Sequence, residues 1–193
     1  MTPNQITCIR IALLPLIAFF YLADFIPWGK FISVVLFALA AVTDFIDGKL
    51  ARKTNQVTDL GKFLDTIADK LLITVALILI IADGTLKAPF GAIIGMIVLC
   101  REFLVTFLRQ VAVNNGVVVA ADKWGKYKAF FQDIAIPAFM LLAFFNQYTL
   151  LSVTAYLVYS YVCYFLMFFA LILTIISGVN YFVQNRNVFK AKK

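Results

Sequence analysis

Residues 31–82 read FISVVLFALAAVTDFIDGKLARKTNQVTDLGKFLDTIADKLLITVALILIIA. Two uncharged runs, 31–43 and 71–82, flank a polar centre that carries Asp44, Asp47, Arg52, Asp65 and Asp69. A helix needs roughly 20 residues to cross the hydrocarbon of a bilayer, so each short run has to recruit its charged neighbour. The aspartates are thereby placed at the membrane border.

The same arrangement recurs outward from this stretch. Uncharged runs occupy 11–23, 88–100, 134–146 and, longest of all, 147–185. Arg101, Glu102 and Arg109 follow the 88–100 run, while Lys126, Lys128 and Asp133 precede the 134–146 run. Successive helices run in opposite directions, which turns all of these charges to one side. With 63% of 193 residues hydrophobic and 14% charged, the composition excludes an ordinary soluble domain and leaves length for about six spans. The expected fold is an all-α integral membrane protein, a single domain over 1–193. It has six transmembrane helices, a short N-terminal interfacial segment starting at Thr2-Pro3-Asn4, and a polar site at the border.

Orientation follows from the basic residues. With the N-terminus inside, 15 of the 17 Lys and Arg face the cytoplasm and only Lys30 and Lys87 lie outside, so both termini are expected inside. The outer turns fall at 23–30, with Pro27-Trp28-Gly29 as turn and interface anchor, at 83–89 and at 146–149. Longer inner connections are expected at 52–60 and 114–126. The run after Arg10 ends at Ala23-Asp24-Phe25 without a small-residue cleavage site, and reads as a retained first helix. Pro15 and Pro137 lie inside apolar helices and are read as kinks. Three cysteines and no histidine exclude a Cys/His zinc site, so any catalytic metal is held by oxygen. The net charge of +7 points to anionic lipid, not nucleic acid, because no basic stripe is interleaved with aromatics.

On a helix Asp44 and Asp47 are i, i+3 neighbours and Asp65 and Asp69 are i, i+4 neighbours, so each pair projects from one face. The short connection makes the two helices antiparallel neighbours and brings four carboxylates together. Unpaired, these anions repel strongly in a low dielectric, and a pair of divalent cations is the simplest neutraliser. Carboxylate oxygens suit Mg²⁺ or Mn²⁺, and two metals about 4 Å apart are a recurring device in phosphoryl transfer. Gly48 and Gly61 lie on the carboxylate faces, where a ligand can approach backbone, and Arg52 offers a fork to a diphosphate. Intramembrane aspartates also serve ion pathways, so a cation-coupled transporter is the rival from another class.

The pattern D-x2-D-G-x2-A-R-x8-G-x3-D-x3-D, complete from Asp44 to Asp69 over 26 residues, resembles the signature of the CDP-alcohol phosphatidyltransferase family. In that family a CDP-activated alcohol donates a phosphate-linked group to a hydroxyl and CMP leaves. The resemblance implies that Asp44, Asp47 and Asp65 bind metal. It also implies that Asp69, near the second metal, is the base that takes the acceptor proton, as a buried carboxylate kept ionised by the cations. Gly48, Ala51, Arg52 and Gly61 would line the CDP site, with Thr58 as a phosphate contact.

Three further segments resemble the bacterial branch of the family whose acceptor is glycerol 3-phosphate: 101–109, 121–128 with Gln132 following, and the N-terminal Asn4, Thr7 and Arg10. The resemblance implies CDP-diacylglycerol as donor, with Asn4 and Thr7 at its site, in a bacterial inner membrane with the active site cytoplasmic. Other acceptors within the family are serine, inositol phosphate and phosphatidylglycerol. Arg101, Arg109, Lys126 and Lys128 meet only Glu102 and Asp133 as nearby anions, so positive charge remains to hold an acceptor phosphate. Arg101 and Glu102 also read as structural, pairing with other helices, and Lys123, Lys126 and Lys128 as positive-inside residues gripping anionic headgroups. The aromatic last run, with Tyr156, Tyr159, Tyr161, Tyr164, Phe165, Phe168 and Phe169, reads as a lipid-facing or packing surface, to which the resemblance adds a homodimer interface.

Overall fold

The computed structural model describes the backbone of residues 3–54, 59–114 and 123–184, and the side chains of 7–43, 61, 64, 66–112 and 124–184. Six helices follow in order: α1 (Pro3–Leu22), α2 (Gly29–Thr54), α3 (Asp59–Ala82), α4 (Phe90–Asn114), α5 (Lys123–Tyr148) and α6 (Val153–Gln184). At 1.5 Å per residue they are about 30 to 48 Å long. No strand occurs among the described residues.

The chain is inside out relative to a soluble bundle. Large apolar side chains point away from the protein on every helix, among them Phe19, Leu39, Ile78, Phe107, Phe130 and Phe165. So much outward apolar surface is stable only against lipid. Three segments are long and apolar enough to cross a membrane unaided: Phe90–Ala112, Trp124–Tyr148 and Val153–Gln184. In α1 and α2 the apolar stretches are shorter, Thr7–Leu22 and Gly29–Thr43. The polar ends of those helices complete their length, as the short uncharged runs require.

The segment expected along the interface is instead the first turn of α1, which runs unbroken from Pro3. Proline at a helix start sacrifices no hydrogen bond, because the first N–H groups have no partner there anyway. Thr7, Arg10, Leu14, Ile17 and Tyr21, spaced three and four apart, form the buried stripe of α1. Pro15 and Pro137 sit within continuous helices. The inner connections are shorter than expected, since Arg52 and Leu60 are helical, as are Lys123 and Lys126. No glycine or proline interrupts 49–60, and Gly125 falls in the first turn of α5, where it costs little.

Helix α1 packs along both α2 and α3, while direct α2–α3 contact among the described residues is limited. Among the described residues the two helices are joined largely through α1. Helix α5 packs on α2, α3 and most extensively α6, and α4 closes against α3 and α6. At the outer turns Asp83 gathers three donors. Its Oδ2 accepts from Tyr21 Oη at 2.8 Å and Lys30 Nζ at 3.2 Å, and its Oδ1 accepts from the Thr85 N–H at 2.9 Å. Trp28, at φ 64°, stacks on Tyr148 and donates its backbone N–H to that hydroxyl at 2.7 Å, tying the α1–α2 turn to the end of α5. In α6, Tyr159 and Tyr164 bond inward to the Ala138 and Thr85 carbonyls, whereas Tyr161, Phe165 and Phe168 face outward.

The α1–α2 corner depends on Gly29, where an added Cβ would stand 2.5 Å from the Phe20 carbonyl oxygen. Backbone cannot yield as a flexible side chain does. Gly29→Ala is therefore expected to destabilise the fold by about 1–3 kcal/mol, read as a lowered Tm in detergent.

Candidate active site

Midway along α3 and α4 and near the start of α5, one carboxylate collects cations from three helices. Glu102 on α4 accepts from Lys70 Nζ of α3 at 3.4 Å through Oε2. Its Oε1 accepts from Arg101 Nη1 at 3.2 Å and from Lys128 Nζ of α5. All four side chains are largely enclosed, Lys128 most of all, with 5% of its side chain exposed. Arg101 also reaches α6, donating from Nη2 to Ser177 Oγ at 2.5 Å. Gly178 gives it room, since a Cβ there would lie 3.3 Å from Arg101 Cγ, whereas one on Gly125 would meet Ser177 Oγ at an ordinary contact distance of 3.5 Å.

The cluster brings together two of the four expected phosphate-binding cations, Arg101 and Lys128. Arg109 and Lys126 are exposed and stand outside it. Helical geometry explains the split, because Arg109 is two turns beyond Arg101, and Lys126 lies half a turn, roughly 200°, around α5 from Lys128. Lys70 and Ser177 were not singled out in the sequence, and Glu102 was read as a neighbouring anion or as a structural residue pairing with other helices. The signal for Lys70 was its position as the only cation between 63 and 86, at the start of the apolar run of α3.

The four aspartates fall on helical backbone, Asp44 and Asp47 in α2 and Asp65 and Asp69 in α3, so each pair shares a face at the expected spacing. Asp69 itself is exposed and not buried as expected of a base. It precedes the inward Lys70 by one residue, and a turn of about 100° carries it to the open side of α3. The side chains of Asn4, Asp44, Asp47, Ala51, Arg52 and Asp65, with Gly48 and Thr58, lie outside the described residues; among those described, no three ligand side chains assemble. As a donor set, four carboxylates from two helices supply only hard oxygens and fit Mg²⁺ or Mn²⁺. Gly61 lies two turns before Asp69 in α3, while Thr7 and Arg10 are buried on the inward face of α1.

Beside Lys70, between α3 and α4, runs a groove of about 240 Å³. Ile67, Leu71, Phe103 and Phe107 make its walls apolar, and Thr66, Thr106 and Gln110 add polar atoms. Lys70 is the one cation among the residues that line it. The Arg101–Ser177 bond is the tie between this site and α6. Ser177→Ala is expected to lower stability by about 1–3 kcal/mol, because it strips a partner from a largely enclosed guanidinium; thermal unfolding in detergent measures it.

Residues 1–176 match the family described as CDP-alcohol phosphatidyltransferase. The chain is similar to a Bacillus subtilis (strain 168) protein named CDP-diacylglycerol--glycerol-3-phosphate 3-phosphatidyltransferase, 43% identical over 150 residues, covering 72% of this chain and 76% of the relative. A protein of the same name from Rickettsia bellii (strain RML369-C) is 35% identical over 188 residues, 97% of this chain and 96% of its own. Another of that name, from Haemophilus influenzae, is 35% identical over 183 residues, 93% and 90% of the two chains.

Proposed function

The chain belongs to the CDP-alcohol phosphatidyltransferase family, and on that premise we propose that it transfers the phosphatidyl group of CDP-diacylglycerol to sn-glycerol 3-phosphate, giving phosphatidylglycerol phosphate and CMP. The observation that carries the acceptor is the meeting of Arg101 and Lys128, with Lys70, in one enclosed cluster whose cations outnumber its carboxylate. A phosphate from the cytosol is the anion such a cluster suits.

In this reading all six helices span a bacterial inner membrane, with the cluster and both termini on the cytoplasmic side. That side follows from the Lys and Arg distribution. CDP-diacylglycerol enters laterally with its chains in the bilayer. Gly48, Ala51, Arg52, Thr58, Gly61, Asn4 and Thr7 surround its CDP head, and Asp44, Asp47, Asp65 and Asp69 hold two divalent cations. Bound there, Mg²⁺ or Mn²⁺ neutralises the diphosphate and the charge that grows on departing CMP. Arg101 and Lys128 hold the acceptor phosphate, with Arg109 and Lys126 as outer contacts on its route from the cytosol.

Asp69 takes the proton from the primary hydroxyl. The freed oxygen attacks the lipid-side phosphorus, and the bond to CMP breaks with its electron pair leaving on CMP. The exposure of Asp69 suits this role, since the acceptor arrives through water and its hydroxyl has to reach the carboxylate. A homodimer belongs to the same reading.

The test is CMP release from CDP-diacylglycerol by the purified protein. It is expected only with glycerol 3-phosphate among a panel of acceptors, and only with Mg²⁺ or Mn²⁺ present. Release with another acceptor overturns the acceptor assignment, and no release from a folded, metal-loaded sample overturns the reaction. Because detergent supports no gradient, turnover there also rules out ion-coupled transport as the primary activity. Asp69→Asn is expected to reduce turnover by about 10²–10⁴-fold while CDP-diacylglycerol still binds; unchanged turnover would remove Asp69 as the base.

A further inference from the structure

We propose that Glu102 is a positioning residue: its carboxylate holds Lys70, Arg101 and Lys128 as one cradle of net charge +2, and this cradle selects a phosphate-monoester dianion as the acceptor. The inference rests on the phosphatidyl-transfer reading above and adds Glu102 and Lys70 to it.

A purely structural ion pair in a low-dielectric region balances its charges, because each uncompensated charge there is expensive. Here, among the described residues, three cations share one carboxylate, and the four side chains together carry a surplus of two positive charges. A phosphate monoester carries about −1.5 to −2 at neutral pH, its second pKa lying near 6. The surplus therefore matches such a group and exceeds what a neutral polyol, a zwitterionic amino acid or a phosphodiester lipid brings.

Donor geometry agrees with the charge count. Both oxygens of Glu102 are engaged, Oε1 by Lys128 and Arg101 and Oε2 by Lys70. Each lysine ammonium has three N–H groups and gives one to Glu102, which leaves donors on both. Arg101 Nε is buried with no hydrogen-bond partner among the described residues. A buried guanidinium N–H without an acceptor is costly, and a bound phosphate oxygen would remove that cost. Ser177 and Glu102 hold the two ends of the Arg101 guanidinium, so its plane is set before the acceptor arrives. Without Glu102 the three cations repel one another and their donors no longer converge. Glu102 thus acts through the cations and does not touch the acceptor.

Glu102→Gln keeps the side-chain shape and removes the charge. In the purified full chain we expect it to raise the KM for glycerol 3-phosphate about ten- to a hundredfold, the scale of a lost charged hydrogen bond. The KM for CDP-diacylglycerol is expected to change by no more than about twofold, well within the contribution of one weak contact. Inorganic phosphate is expected to compete with glycerol 3-phosphate in the wild type and to lose that competition in the variant, with Glu102→Asp restoring part of it. An unchanged glycerol 3-phosphate KM overturns the proposal, as does an equal rise in both KM values with a lowered Tm, which marks a folding role.

Should Glu102→Gln fail to fold, Lys70→Gln tests the same cradle at its 3.4 Å contact, with the same selective rise expected and the same outcomes against it. Calorimetric titration of glycerol 3-phosphate into the wild type separates this proposal from the reaction. Binding without CMP release removes the reaction and leaves the cradle standing. Turnover by a wild type whose two variants bind the acceptor equally well removes the cradle and leaves the reaction, and neither binding nor turnover removes both.

Discussion

A charge in the hydrocarbon of a bilayer costs several kcal/mol unless it is paired or reaches water, and this cost orders the molecule from end to end. Asp83, Lys30 and Tyr21 close one end of the bundle, where α1, α2 and α3 turn. Glu102 with Lys70, Arg101 and Lys128 lies midway along α3 and α4, and the signature aspartates of α2 and α3 lie beyond it toward the other end. Between the Asp83 and Glu102 clusters the core is apolar, built around Ile17, Phe37, Ala76, Ile80, Phe139 and Met140. The lengths of the helices follow from this separation, and so does the location of every group able to do polar chemistry.

The two polar clusters differ in their charge balance. At the outer end one carboxylate meets one ammonium, a phenol and a backbone N–H, a network complete in itself. In the Glu102 cluster, among the described residues, one carboxylate meets three cations. The first arrangement stabilises turns, and the second is the cluster proposed above to hold the acceptor phosphate. The small residues follow the same division of labour. Gly29 lets two backbones meet at a corner, while Gly178 clears the path of Arg101 to Ser177.

Much of this was legible in the chain. Short uncharged runs beside clustered charges required helices whose polar ends finish the span, and all six helices stand where those runs place them. The aspartate spacing needed only a helical backbone to put each pair on one face, and α2 and α3 supply it. Helix boundaries near the inner connections were less legible, because polar residues without glycine or proline extend a helix as readily as they leave it. The burial of Asp69 was misjudged for a related reason: a signature gives spacing along a helix, while the direction its face looks depends on the neighbours.

What the sequence determined by itself is local and periodic: six helices, a membrane setting, and carboxylates at i, i+3 and i, i+4, because these follow from composition, run length and 3.6-residue geometry. Which charges meet was decided only by tertiary structure. Lys70, Glu102 and Lys128 are up to 58 positions apart in sequence and on three helices, and no period links them. The packing of α4 and α5 against α3 and α6 selected Arg101 and Lys128 for the cluster and left Arg109 and Lys126 outside it, since a side chain's partners are set by the face its helix presents and not by its charge.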